Sequence, residues 1–201
     1  KETEHSPAGR FQSVICLLGL GASTGHHLVG KQLQPAQQRL QCASRLLQAL
    51  PHSTVVAQSS LYQSRAWGNL RAGSYLNAAA LLQTALLPGV LLQRLLDIEY
   101  ACGRRRHRKR WGKRAVDIDL LLLGNLRLHS SRLQVPHPWF WQREFALLPA
   151  LEVLRSVLQQ DDDENHVITL PRTWPGKAAR HWRQAVGFHL SRPLRILSVD
   201  S

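Results

Sequence analysis

Arg114-Ala115-Val116-Asp117-Ile118-Asp119-Leu120-Leu121-Leu122-Leu123 is the stretch on which the fold turns. It is apolar, rich in branched side chains and closed by Gly124-Asn125, the pattern of a buried strand with a turn behind it. On a strand, residues two apart share a face with their Cα atoms roughly 6.5–7 Å apart. Asp117 and Asp119 therefore point one way, and Val116, Ile118, Leu120 and Leu122 point the other. Two carboxylates so placed suit hard cations roughly 3.5–4 Å apart, the arrangement that clamps both ends of an in-line displacement at phosphorus. No Cys or His stands alongside, which favours magnesium over zinc. A plainer alternative from this spacing alone is a solvent-facing strand whose aspartates pair with neighbouring arginines.

Those arginines are unusually concentrated. Eight of the eleven residues in 104–114 are Arg or Lys, whereas no acidic residue occurs between Glu4 and Asp97. The formal net charge of +13 is mostly arginine, whose planar fork matches phosphate oxygens two to two. A phosphate-bearing partner follows, and both a nucleotide and a nucleic acid satisfy the sum. The carboxylate pair, lying between a cationic loop and a buried segment, suggests a metal counter-ion.

Working outward, the apolar run 14–18 ends at Gly19 and Gly21 and reads as a first strand entering a glycine turn. Leu40, Ala43, Leu46, Leu47 and Leu50 recur at helical spacing between Pro35 and Pro51. A second strand is expected over 54–62 and a third over 74–85, with Tyr75 and Asn77 on one face. Pro88 opens a second helix that Gly103 ends. The order is strand, helix, strand, strand, helix, strand. That is an α+β, ferredoxin-like βαββαβ core, with an antiparallel sheet, helices on one side and a C-terminal extension. The expected organisation is a tail over 1–10, one domain over 11–158, and a linker and extension over 159–201, marked by the acidic run 161–164.

With 44% hydrophobic residues, 201 residues suffice for one such core. Three cysteines at unrelated spacings form neither a disulfide framework nor a zinc motif, which suits a reducing cytoplasm. The longest Leu-rich region, 75–98, is broken by Asn77, Gln83, Pro88 and Gln93, short of the roughly 20 apolar residues that span a bilayer. Without any methionine, the chain is expected to begin partway into a longer one.

Beyond these physical readings, the run 110–122 closely resembles the signature of the 6-hydroxymethyl-7,8-dihydropterin pyrophosphokinase family. The resemblance continues in order through the first strand and glycine turn, Ser59-Ser60-Leu61-Tyr62, Tyr75-Leu76-Asn77-Ala78-Ala79, Ile98-Glu99 before Gly103-Arg104, and Val135-Pro136-His137 with Arg143 and Phe145. It implies magnesium-dependent transfer of pyrophosphate from ATP to the pterin's hydroxymethyl group, releasing AMP, in folate biosynthesis. Asp117 and Asp119 match the ligands of two magnesium ions, and Arg104 and Arg114 join them as catalytic residues. Glu99, Arg106, Arg110, Trp111, His137 and Arg143 match positions around ATP. Tyr75 and Phe145 match the rings that sandwich the pterin, Asn77 the amide at its edge and Gly68 the end of the pterin loop. The expected protein is a cytoplasmic monomer acting on ATP and the pterin, with no membrane or nucleic-acid partner. Its basic loop is expected to be open without ligand and to close over ATP.

Two segments depart from the family pattern. Gly19-Leu20-Gly21 replaces Gly-Ser-Asn, and Arg65-Ala66-Trp67-Gly68 replaces Pro-Pro-Leu-Gly. They keep open a divergent homologue that binds ATP and magnesium with a changed or lost pterin substrate. A basic nucleic-acid-binding module fits less well, because carboxylates in its groove would repel a phosphate backbone.

Overall fold

Val14–Gly25 forms strand β1 at the centre of the sheet in the computed structural model, which describes residues 13–25, 33–65, 73–104, 115–159 and the backbone of 195–197. Gly19 and Gly21 do not end this strand, contrary to the glycine turn expected there. β4 (Ser74–Thr84) and β5 (Asp117–Leu123) pair antiparallel on its two sides, so Gly19 stands between Ala79 and Asp119, and Gly21 between Asn77 and Asp117. Ladder bonds from both neighbours outweigh glycine's poor strand propensity.

Helix α1 (Leu33–Gln48) follows, then β2 (Ser53–Gln58) and β3 (Leu61–Arg65). These two short strands occupy the place of the single strand expected over 54–62, and both pair with β4. Pairing slips by one residue at Val56 and again around Ser59-Ser60, where Ser59 exchanges bonds with Ala79 through its backbone N–H and its Oγ, each at 2.9 Å. Helix α2 (Pro88–Ala101) starts on proline as expected and leads back to β5. The sheet order β5-β1-β4-β3 is that of the ferredoxin-like core, and the helices α1 and α2 lie together on one face.

Side-chain alternation sorts the sheet into two layers. Cys16, Leu18, Leu20, Leu76, Ala80, Leu82, Ile118 and Leu120 face α1 and α2. Ile15, Leu17, Ala79, Leu81 and Leu121 face a third helix, α3 (Glu144–Gln159), which packs on the opposite face. Truncating one of the fully buried leucines, such as Leu17 or Leu18, to alanine should cost about 2–5 kcal/mol. Helix α3 escaped the sequence reading because Pro149 lies inside it, where proline normally removes a helical hydrogen bond. Between β5 and α3 run a small hairpin, β6 (Leu128–His129) with β7 (Gln134–Val135), and a 3-10 turn over Phe140–Gln142. Strand β8 (Arg195–Leu197), from the stretch read as an extension, adds to the sheet by pairing with β3.

Candidate active site

Helix α3 leaves uncovered the end of the sheet face that carries both aspartates. Asp117, Gly21, Asn77 and Tyr62 are directly paired across β5, β1, β4 and β3, so they form one row on one face. Asp119, Gly19 and Ala79 form the adjacent row towards α3. Asp117 and Asn77 are thus two strand spacings apart, roughly 9–10 Å. Between them lies only glycine backbone. Both Leu20 and Gly21 depart from the family pattern: Leu20 points away into the core at 6% exposure, while Gly21, with Gly19, forms a floor without side chains.

Glu99 anchors the carboxylate side. It sits near the end of α2, is 1% exposed, and accepts the outward N–H of Ile118 through Oε1 at 2.6 Å. Its Oε2 accepts from Arg104 Nη1, and the same nitrogen donates to Asp117 Oδ1 at 3.1 Å. The helix end makes this reach possible. Arg104 N–H returns to Glu99 O and Gly103 N–H to Tyr100 O, the paired bonds of a Schellman cap, with Gly103 at φ +93°. Glycine is required there for its conformation and not for space, since a Cβ on Gly103 would meet nothing. Burial pushes the Glu99 carboxyl up to about 7, and the Ile118 N–H and Arg104 pull against it.

His137 is tied to β5 by its backbone N–H, which donates to Leu121 O at 2.9 Å. Burial and then Arg143 hold its imidazole below the usual range, and Asp117 offsets this only in part. Its Nδ1 accepts from Trp139 N–H at 3.3 Å, which leaves the proton of the neutral ring on Nε2. The Arg143 guanidinium lies 5.8 Å from the Phe145 ring centre in a cation–π arrangement.

Asn77 is 5% exposed and uses Nδ2 twice, donating to Ser64 Oγ at 2.9 Å and to Tyr62 O at 3.3 Å. Tyr75 is on the same face one row away, paired with Ser64 and Ser23. Glu152 of α3 braces the adjoining bulge by accepting from Ser60 N–H, Ser60 Oγ and Tyr62 OH at 2.9, 2.8 and 2.7 Å. Ser64 and Glu152 were passed over in the sequence; the register of β3 on β4 sets Ser64 diagonal to Asn77, and the packing of α3 on the sheet brings Glu152 to Ser60 and Tyr62. Gly68, Arg106, Arg110, Trp111 and Arg114, with the basic loop's expected closure, lie outside the described residues.

A metal can be accommodated at the carboxylates. Among the described residues no third His, Cys, Asp or Glu completes a cage around Asp117 and Asp119. Magnesium ordinarily takes one or two protein carboxylates and fills its remaining positions with phosphate oxygens and water, so this donor set fits it. Also among the described residues, no helix is long and apolar enough to cross a membrane.

Fold and site together define a ferredoxin-like α+β protein with a carboxylate pair and a buried side-chain amide in neighbouring positions on one sheet face. The sequence pattern of the 7,8-dihydro-6-hydroxymethylpterin-pyrophosphokinase (HPPK) family matches residues 18–155, and the chain belongs to that family. The 2-amino-4-hydroxy-6-hydroxymethyldihydropteridine pyrophosphokinase of Haemophilus influenzae is 36% identical over 135 residues, spanning 67% of this chain and 84% of that protein. Its namesake from Methylorubrum extorquens is 38% identical over 136 residues, spanning 68% and 80%. Among solved structures, Plasmodium falciparum HPPK-DHPS with pteroate has the same fold, with a TM-score of 0.57 at 11% identity. That match covers 96% of this chain and 47% of the other.

Proposed function

We propose that this chain transfers pyrophosphate from ATP to 6-hydroxymethyl-7,8-dihydropterin in folate biosynthesis, with magnesium held by Asp117 and Asp119. The observation that supports this reading is the row Asp117–Gly21–Asn77, a carboxylate and a side-chain amide on one sheet face with glycine between them. In the reaction the pterin hydroxymethyl oxygen bonds to the β-phosphorus of ATP. The bond from that phosphorus to the oxygen bridging to the α-phosphate breaks, AMP leaves, and the hydroxyl proton passes to solvent. Bound magnesium, as two ions, supplies positive charge to the oxygens of the transferring group.

The protein's own groups orient the reactants. Glu99 holds Arg104 against Asp117, so the guanidinium is preset beside the phosphate end without reorganisation during transfer. His137, neutral with its proton on Nε2, offers a hydrogen bond at that end, and Arg143 adds charge. Tyr75 and Phe145 stack the pterin, Asn77 meets its edge, and Gly21 lets the ring approach the sheet backbone. Arg106, Arg110, Trp111 and Arg114 close the nucleotide side, and Gly68 belongs to the pterin loop. The catalytic unit is residues 11–158, a cytoplasmic monomer with no nucleic-acid partner.

The test is AMP release from magnesium ATP, with and without 6-hydroxymethyl-7,8-dihydropterin, in wild type and Asp117→Ala. Pterin-dependent AMP that falls at least about a hundredfold in the variant is expected. Pterin-independent AMP, or none at all in wild type, would refute the assignment.

A further inference from the structure

Cys42 and Cys102 are far apart in the chain and unrelated in spacing, yet the fold sets their thiols in hydrogen-bonding contact. Cys42 lies on α1, half-buried against the core layer that α1 and α2 share, and Cys102 is the C-cap of α2 at 6% exposure. The two sulfurs therefore differ in access, and a reagent in solvent meets Cys42 first. Burial, and then the contact with Cys42, push the Cys102 thiol up to about 12, which keeps it from acting as the first nucleophile. Arg39 and Arg45 stand three residues to either side of Cys42, and α1 contains no acidic residue to offset their charge. An anionic reagent is thus drawn to this stretch of the helix.

Cys102 also adjoins the carboxylate site. Its N–H donates to Ile98 O at 2.9 Å, and beyond it only Gly103 precedes Arg104. Arg104 in turn returns its N–H to Glu99 O at 2.9 Å and sets its guanidinium on Glu99 and Asp117. A disulfide holds its sulfurs about 2.05 Å apart, more than about 1 Å closer than a non-bonded contact, so closing the pair draws the two segments together. Cys42 is inside α1, with Leu40, Ala43 and Leu47 of that helix buried in the core. The α2 cap is a helix end, and a Cβ on Gly103 would meet nothing within 4 Å, so the cap is the part that yields.

We infer that Cys42 and Cys102 form a redox switch, closed by a small anionic disulfide such as oxidised glutathione, which shifts the α2 cap and withdraws Arg104 from Asp117. The Cys42 thiolate attacks one sulfur of the reagent, forming a mixed disulfide and releasing one thiolate. The Cys102 sulfur then attacks Cys42 Sγ, and the second thiolate leaves. Together the two cysteines give up two protons and two electrons, and the reagent takes them up as two thiols. A reducing dithiol reverses the exchange. Under reducing conditions the pair stays open and Arg104 stays in place.

Three measurements on the full chain test it. After treatment of the folded protein with oxidised glutathione, peptide mapping by mass spectrometry should find Cys42 joined to Cys102 and the fully buried Cys16 still reduced. Hydrogen exchange at the Arg104 N–H, followed by NMR, should be at least about tenfold faster in the oxidised protein and return to its first rate with dithiothreitol. Magnesium ATP binding, the one readout that rests on the function proposed above, should weaken at least about tenfold on oxidation. Cys42→Ser and Cys42→Ala, both mild changes at a half-buried position, should show none of the three responses. Absence of the Cys42–Cys102 bond in wild type, or a bond that forms while Arg104 exchange or magnesium ATP binding is unchanged, overturns the inference. Failure of the reduced protein to bind magnesium ATP overturns the proposed function instead, and the exchange rate at Arg104 still decides the switch.

Discussion

Replacing Gly21 and Gly19 by alanine should have opposite effects on stability, although the two glycines are neighbours on one face of one strand. A Cβ on Gly21 would meet only Asn77 Oδ1 at 3.7 Å, an ordinary contact, whereas a Cβ on Gly19 would come within 3.2 Å of Leu121 Cδ1. Leu121 is 2% exposed beneath α3 and has little room to yield. Glycine inside a strand costs about 0.5–1 kcal/mol relative to alanine, so Gly21→Ala should leave stability unchanged or raise it by that amount. At Gly19 the same gain is set against an overpacking cost of about 1–3 kcal/mol, giving a net loss of roughly 1 kcal/mol. Function should follow the other order. The Gly21 methyl stands on the floor between Asp117 and Asn77 and would lift a bound ring by about a bond length, enough to lower kcat/KM for the pterin about a hundredfold. Gly21→Val should abolish turnover in a protein that still folds. Urea denaturation and AMP release measured on the same preparations check both halves. A Gly21→Ala protein destabilised by more than about 1 kcal/mol would contradict the contact geometry, and a folded Gly21→Val enzyme with wild-type turnover would refute the bare floor.

Glu99→Ala should cost about 2–4 kcal/mol in urea denaturation, because it strands the Ile118 N–H and removes one partner of a buried ion pair. Glu99→Gln, which can still accept that N–H and needs no buried charge, should cost under about 1 kcal/mol; equal losses would show that the bond to Ile118 is not what matters. Burial, and then the bond it donates to Glu152, raise the Tyr62 phenol above its ordinary value near 10. The sign follows from that direction: the stabilisation is complete below pH 10 and is lost as pH rises past the raised value. Tyr62→Phe should therefore cost about 1–2 kcal/mol at pH 8, and the gap to wild type should shrink above pH 10; a gap that is constant to pH 11.5 would count against the bond. Cys16 is fully buried, its thiol pushed up to about 12 by that burial, so a maleimide should label it only at the rate of unfolding.

The core pattern was legible because alternation and helical spacing are local properties. The aspartates of β5, Pro88 at the start of α2 and Gly103 at its end were all placed by residues within a few positions of them. Elements whose shape depends on partners were not legible. Gly19 and Gly21 look like a turn until two neighbouring strands are known to flank them, and β2 and β3 look like one strand until the bulge at Ser59-Ser60 is seen. Pro149 conceals α3 because propensity says nothing of the apolar face, Leu147, Leu151 and Leu154, that packs this helix onto the sheet. The site divides in the same way. Asp117 and Asp119 share a face by strand period alone, whereas Glu99, Arg104 and Ser64 acquire meaning only through a cap and a cross-strand register.

By itself, then, the sequence determined the order of the core strands and helices, the apolar and carboxylate sides of β5 as far as Leu120, beyond which a bulge turns Leu122 to the α3 side, and the phosphate-seeking charge around them, since each arises from spacing along one segment. Tertiary structure alone decided that Gly21 would separate Asp117 from Asn77, that Glu99 would hold Arg104, and that the Asn77 amide would donate to Tyr62 and Ser64 of β3. These depend on which strands are neighbours and in what register, and a one-residue slip sends a side chain to the other face of the sheet.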